Sequence, residues 1–222
     1  MRPLPPLLVG ASVDSTAVVL RVLGPVEAIV GGRPVDLGPP KQRAVLTLLA
    51  SRVGRPVAVD ALLEALWAGA PPPAALASLR AYVANLRRVL EPDRAPRAPA
   101  TVLRTYTAGY LLDSHHVDVD VHRFSRHATA GREAWGGGDP QRALSEFEAG
   151  LALWRGEAYA EVADAGWVAP DVARLEELRL SVIEGRCAAL IGVGAHEVAV
   201  AELEAHVRVH LLDSGFGNGL WL

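Results

Sequence analysis

Cysteine and lysine are almost missing from this chain. Cys187 is the only cysteine of 222 residues, and Lys41 is the only lysine among 22 basic residues. A single cysteine excludes an intrachain disulfide and fits a reducing, cytoplasmic compartment. The arginine bias reads as codon usage of a GC-rich genome. Long apolar runs are also missing, which excludes a membrane-spanning helix from the expectation. The opening "MRPLPPLLVG" is broken by Pro3, Pro5 and Pro6, so residues 1–17 are expected to be a loose tail and not a secretion signal. Aromatic residues make up 5% of the chain. Half of it is hydrophobic, enough for a substantial core.

Acidic charge is scarce in the first half and abundant in the second. Residues 1–115 carry 13 Lys+Arg against 8 Asp+Glu, and residues 116–222 carry 9 against 17. A basic half followed by an acidic half implies two domains with different partners. The local patterns change at the same point. "VVLRVLGPVEAIVGGRPVDL" (Val18 to Leu37) has short β-rich runs broken by Gly24-Pro25 and Gly31-Gly32, the spacing of a small antiparallel sheet. Pro39-Pro40 can open a helix carrying Val45, Leu48 and Leu49. "DALLEALW" follows as a second helix with Asp60 as its N-cap, and "LRAYVANLRRVL" as a third, stopped by Glu91-Pro92. "TVLRTYTAGYLLD" alternates around Ala108-Gly109, which predicts a β-hairpin.

Beyond about Asp118 the pattern is helical. Asp139 and Pro140 fit the N-cap and first position of one helix, and another is expected from about Pro170 to Leu190. A shift of 56 residues lays Gly138, Ala143, Glu146, Phe147, Glu148 and Ala149 on Gly194, Ala199, Glu202, Leu203, Glu204 and Ala205. Small residues at fixed positions let paired helices approach closely, as in stacked tetratricopeptide-like hairpins. Two alanine-rich amphipathic helices alike only by composition are the plainer alternative.

Enzymatic motifs are absent. "GGG" at 136–138 and "GVG" at 192–194 complete no phosphate-loop pattern, and turn glycines explain both. No nucleophile motif and no Ser/His/Asp arrangement stands out. "HHVDVDVH" (His115 to His122) holds residue types that ligate metals, but a polar linker between domains has the same composition, so no metal and no cofactor is expected. Cys187 and the five tryptophans read as core.

The third helix is the unusual one. Leu76, Leu79, Val83, Leu86 and Leu90 form one apolar stripe. The opposite face has no acid. It centres on Ala77, Ala81, Ala84 and Arg88, with Ser78 and Asn85 beside them, Arg80 and Arg87 on one flank and Tyr82 on the other. Small side chains let a helix backbone sit deep in the major groove. Arg88 and Asn85 pair naturally with base edges, while Ser78, Arg80 and Arg87 suit phosphates. A short helix before it and a hairpin after it, carrying Arg104, Thr105 and Tyr106, complete a helix-turn-helix with a wing.

Taken in order, "LGPPKQRAVLTLLA", "VDALLEALW", "LRAYVANLRRVLEP" and "TAGYLL" resemble an OmpR-like winged helix. "DVDVHRF", "ALSEFEAGLALWRGEAY" and the text from Leu175 resemble the bacterial transcriptional activation domain. The pair resembles the Streptomyces antibiotic regulatory protein family over about residues 18–212. The fold expected is therefore an α+β winged helix at 18–115 followed by an all-α, tetratricopeptide-like domain at 116–222. The resemblance implies a cytoplasmic, non-enzymatic activator of a secondary-metabolite gene cluster. It would bind direct repeats in double-stranded promoter DNA, contact RNA polymerase and associate with itself on DNA. It also implies a recognition helix over about 74–90, a wing over about 101–112, and phosphate contacts from Lys41, Gln42 and Arg43 at a helix N-terminus. A helical adaptor with a vestigial winged helix is the alternative. Two features depart from the family: the wing offers mainly Arg104, and the text from Leu211 leaves the pattern early, so a truncated helical domain is expected.

Overall fold

Gly31 and Gly32 take φ of +56° and +76°, a left-handed pair that only glycine adopts without strain and that matches the twist of a two-residue hairpin. They join β2 (Glu27–Val30) to β3 (Arg33–Val35), and β2 pairs antiparallel with β1 (Val18–Arg21). The structure is a computed structural model and describes residues 18–204. The expected tail at 1–17 and the departing text from Leu211 lie outside the described residues.

Three helices follow: α1 (Pro40–Ser51), α2 (Val59–Trp67) and α3 (Ala75–Leu90). Pro40 opens α1, as expected, and Val45 through Ala50 are all buried, so α1 is the central helix of the winged half. The cap expected from Asp60 is corrected: Ala58 occupies the N-cap, and Asp60 lies within the first turn, where a carboxylate favours the helix dipole. β4 (Val57–Ala58), β5 (Leu103–Tyr106) and β6 (Gly109–Leu112) form a second sheet in the order β4-β6-β5. The hairpin turn is Thr107–Ala108, and Gly109 already belongs to β6. Its role is proximity: a Cβ on Gly109 would lie 1.9 Å from the Val57 carbonyl oxygen.

The helical half holds α4 (Asp120–Gly136), α5 (Pro140–Leu151) and α6 (Ala169–Gly192), with a further helix over 196–204 reaching the edge of the described residues. Asp139 caps α5 by accepting from the Arg142 N–H, as its sequence position predicts. Gly138 (φ +77°) and Gly194 (φ +85°) break the chain at equivalent points before α5 and the 196–204 helix. Ala143 and Ala199 are both fully buried. The 56-residue shift thus sets two helical hairpins in register at these positions, but Leu203, which meets the buried Phe147, is 38% exposed, and Ala205 lies outside the described residues. Phe147 is the hub of the first hairpin, wedged between Gly131 of α4 and Gly185 of α6, where added Cβ atoms would come within 2.4 and 2.8 Å of its ring. Cys187 is buried, as expected, and Trp135, expected in the core, is 44% exposed.

The seam between the halves differs from a linker. β7 (Val117–Val119) lies just past the boundary expected at 115/116, yet it pairs in parallel with β1 and completes a sheet of order β3-β2-β1-β7. The Asp120 carboxylate, fully buried, accepts from the backbone N–H groups of Val22 and Leu23. Burial lifts its pKa, and those two N–H groups, with Arg155, pull it back down. The strand-like segment after α5 returns to the same place: Arg155 N–H donates to the Leu23 carbonyl and Tyr159 N–H to that of Val22, each at 2.7 Å. Glu161 accepts from the Val26 N–H and pairs with Arg43. One continuous core therefore runs from β1 through α1 and α4 to α6.

Candidate nucleic-acid interface

Leu79, Val83, Leu86 and Leu90 bury one side of α3. Leu76, expected in that stripe, is 38% exposed near the helix start. On the opposite side Ala77, Arg80, Ala81, Ala84 and Arg88 are all exposed. This is the small, basic face expected from the sequence, with no carboxylate along it. Ser78 is half-buried. Asn85 is also half-buried, and both ends of its amide are engaged: Nδ2 donates to Gln42 Oε1 at 3.3 Å, and Oδ1 accepts from Arg88 Nη2 at 3.2 Å. Asn85 therefore ties the Arg88 guanidinium to α1 and is less free than Arg88 to meet a base.

The wing is locked to α3 by Arg87. Its Nε donates to the Leu103 carbonyl at 2.8 Å and its Nη2 to Thr105 Oγ1 at 2.7 Å, with the guanidinium 5.8 Å from the Tyr110 ring centre. Burial pushes this guanidinium below its ordinary pKa, and Tyr110 opposes the shift. Arg87, expected as a phosphate ligand, clamps helix to wing in this structure. Thr105 is its partner. Arg104 pairs with Asp113 at 2.9 Å, so the single wing arginine is partly neutralised. Tyr106 is 54% exposed beside the turn and keeps its place on the open surface. Glu91, read from the sequence only as a helix stop, accepts from the N–H and hydroxyl of Thr101 and from the Val102 N–H, fixing where the wing begins.

At the N-terminus of α1, the residues expected to meet phosphate have partners within the chain. Gln42 is buried and donates to the Leu37 carbonyl. Arg43 donates to the Gly38 carbonyl and sits 3.5 Å from Glu161 of the helical half. Lys41 donates to the Leu66 carbonyl and lies over the Trp67 ring. The backbone N–H groups of Gln42 and Arg43 both reach the Pro39 carbonyl. These residues hold α1 against α2 and against the seam. A sequence shows the charge of such a helix start but not the partner folded over it from more than a hundred residues away.

"HHVDVDVH" is likewise accounted for by structure. Asp120 serves the seam, and Asp118 pairs with Arg123 and Arg126. Among the described residues, no group of three or more His, Cys, Asp and Glu side chains is placed to hold a metal.

A helix with an acid-free face, flanked by a wing and followed by stacked helical hairpins, defines a winged-helix module joined to a helical one. Residues 32–112 match the family described as "Transcriptional regulatory protein, C terminal", and residues 119–216 match the "Bacterial transcriptional activator domain". The regulatory protein DnrI of Streptomyces peucetius is 37% identical over 194 residues, covering 86% of this chain and 71% of that protein. The chain belongs to the Streptomyces antibiotic regulatory protein family. Transcriptional regulator RedD of Streptomyces coelicolor is 32% identical over 199 residues, covering 90% and 57%. The transcriptional regulatory protein EmbR of Mycobacterium tuberculosis is 38% identical over 189 residues, covering 85% of this chain and 48% of its own length. The chain thus spans about half the length of EmbR. The solved structure titled "Mycobacterium tuberculosis EmbR in complex with low affinity phosphopeptide" superposes with a TM-score of 0.79 at 36% identity, over 87% of this chain and 50% of that one. These relatives are transcriptional regulators and not enzymes. No helix among the described residues is long and apolar enough to cross a membrane.

Proposed function

We propose that this regulator binds double-stranded promoter DNA by inserting α3 into the major groove, and that it activates a secondary-metabolite gene cluster. The observation that carries this reading is the exposed row Ala77, Arg80, Ala81, Ala84 and Arg88. The alanines give the backbone clearance, Arg88 reads a base edge, and Arg80 holds a phosphate. Tyr106 reaches the flanking backbone from the wing. Ala81 and Ala84 offer methyl groups at the depth where a thymine methyl would lie. DNA binding in direct repeats, pairing of copies along the DNA and recruitment of RNA polymerase by the acidic helical half complete the proposal. Their support is the family membership and the division of charge between the halves.

The test is selection of bound duplexes from a random DNA pool, followed by gel shifts at physiological salt. A repeated motif bound by the wild-type protein, and lost in Arg80→Ala with Arg88→Ala, supports the proposal. A protein that selects no sequence is instead a helical adaptor with a vestigial winged helix.

A further inference from the structure

A cleft of about 340 Å³ opens where the two halves meet, and no residue of α3 lines it. It is lined from the winged half by Ser51, Arg52 and Arg55 at the end of α1, and from the helical half by His122, Asp171 and Arg174. Three guanidiniums and an imidazole face a single carboxylate. Asp171 is 3.8 Å from Arg52, an ion pair too long for a direct hydrogen bond, and Arg55 and Arg174 are exposed with no carboxylate of their own within ion-pair distance among the described residues. Burial first, then Asp171, pushes the Tyr159 hydroxyl up, while Arg174 and Arg52 oppose it. Two of the three guanidiniums, Arg52 and Arg174, thus act on one buried group together with Asp171 and Asp120. Like charges gathered from two domains repel one another, and the arrangement becomes favourable when an anion sits among them.

We propose that this cleft binds a small anion bearing a phosphate group, held between Arg52, Arg55 and Arg174, with His122 as a further donor. Guanidinium forks match phosphate oxygens two at a time, which a point-like ammonium cannot do. The volume lies at the lower end of small-molecule sites, ~300–1,000 Å³, so it admits a phosphate with a modest organic body. The cleft lies at the opposite end of β6 from the wing tip: Gly54, in the turn beside it, donates to the Leu112 carbonyl at one end of β6, and the wing turn Thr107–Ala108 is at the other end. An occupant would bridge the halves and stiffen the seam, giving the regulator an input from phosphorylated metabolites that is independent of its DNA.

The experiment is thermal unfolding of the whole chain, without DNA, in inorganic phosphate or adenosine monophosphate, with sodium chloride at matched ionic strength as the control. A saturable rise in melting temperature over the chloride control is expected. Arg174→Ala and Arg55→Ala, both at exposed positions, should each weaken it by about tenfold in apparent Kd. Arg174→Lys should restore only part, because charge returns without the fork. A stronger response to the nucleotide identifies a phosphorylated small molecule as the occupant, and an equal one identifies free phosphate. No saturable rise with either probe, or a rise unchanged in both alanine variants, overturns the proposal. So does loss of duplex affinity in those variants without any phosphate response, which would make the cluster a DNA contact. Because no DNA is present in the melts, their outcome is separate from that of the DNA-binding test.

Discussion

The carboxylate of Asp120, first residue of the helical half's first helix, accepts hydrogen bonds from the backbone of Val22 and Leu23 at the end of the first strand, at 2.9 to 3.1 Å. This contact spans nearly the whole winged half and makes the fold of each half depend on the other. Asp120→Ala would leave both buried N–H groups without an acceptor. Each such donor costs ~1–3 kcal/mol, so a loss of about 2–6 kcal/mol is expected. Urea unfolding followed by circular dichroism checks it. The wild-type chain should unfold in one transition, and a variant unchanged in midpoint would show that the seam contributes nothing.

Arg88 and Arg43 should now behave differently. Arg88→Ala should reduce the discrimination between operator and random duplex by ~1–3 kcal/mol, the worth of a good base contact. Arg43→Ala should leave the salt dependence of DNA binding untouched and lower stability instead, because its guanidinium is engaged with Gly38 and Glu161. Affinity measured over a range of salt concentrations separates the two. A shallower salt slope in Arg43→Ala would return that residue to the phosphate contacts.

The sequence showed the order of elements well and their partners poorly. Pro40 at the start of α1, Asp139 as a cap, the stop at Glu91-Pro92 and the acid-free face of α3 were legible because each is a local rule acting within one turn of chain. The roles of Gln42, Arg43 and Arg87 were not, because an arginine on a helix flank looks the same whether it faces solvent or a carbonyl from another element. Leu76 fails for a related reason: periodicity gives the side of a helix, not how far the neighbouring element extends along it.

Arg87→Lys should loosen the wing. The lysine keeps a charge but loses the fork that reaches Leu103 and Thr105 together. Hydrogen bonds to a charged group contribute ~1.5–3 kcal/mol each, so a drop of about that size is expected, with weaker binding to every duplex tested. Faster amide hydrogen exchange at β5, with α1 unaffected, would locate the effect. Equal exchange in variant and wild type would remove Arg87 from its role as a clamp.

Acid should also act on the wing. The His115 N–H and the Arg104 guanidinium hold the Asp113 carboxyl below its ordinary 3.8. A lowered pKa gives stability that is complete above 3.8 and is lost as the pH falls through the folded value. Asp113→Asn should therefore be less stable than wild type at neutral pH, with the gap narrowing below 3.8. Thermal melts across that range test the sign, and a gap that widens on acidification would contradict it.

Phe147→Ala should be among the most damaging changes in the helical half, at ~3–5 kcal/mol. Gly185→Ala should cost ~1–3 kcal/mol by crowding the same ring. Differential scanning calorimetry of both variants measures this. A neutral Gly185→Ala would mean that the ring has room to turn aside.

β7 belongs by sequence to one half and by hydrogen bonding to the other. Recombination that exchanges winged helices between relatives must carry a compatible β1 face with each crossover, or place the junction after Asp120. A chimera joined at 115/116 sets a foreign strand edge against Val117–Val119 and presents foreign amides to Asp120. Descent by shuffling is therefore constrained at this joint, and the two modules are expected to have travelled through evolution as a pair.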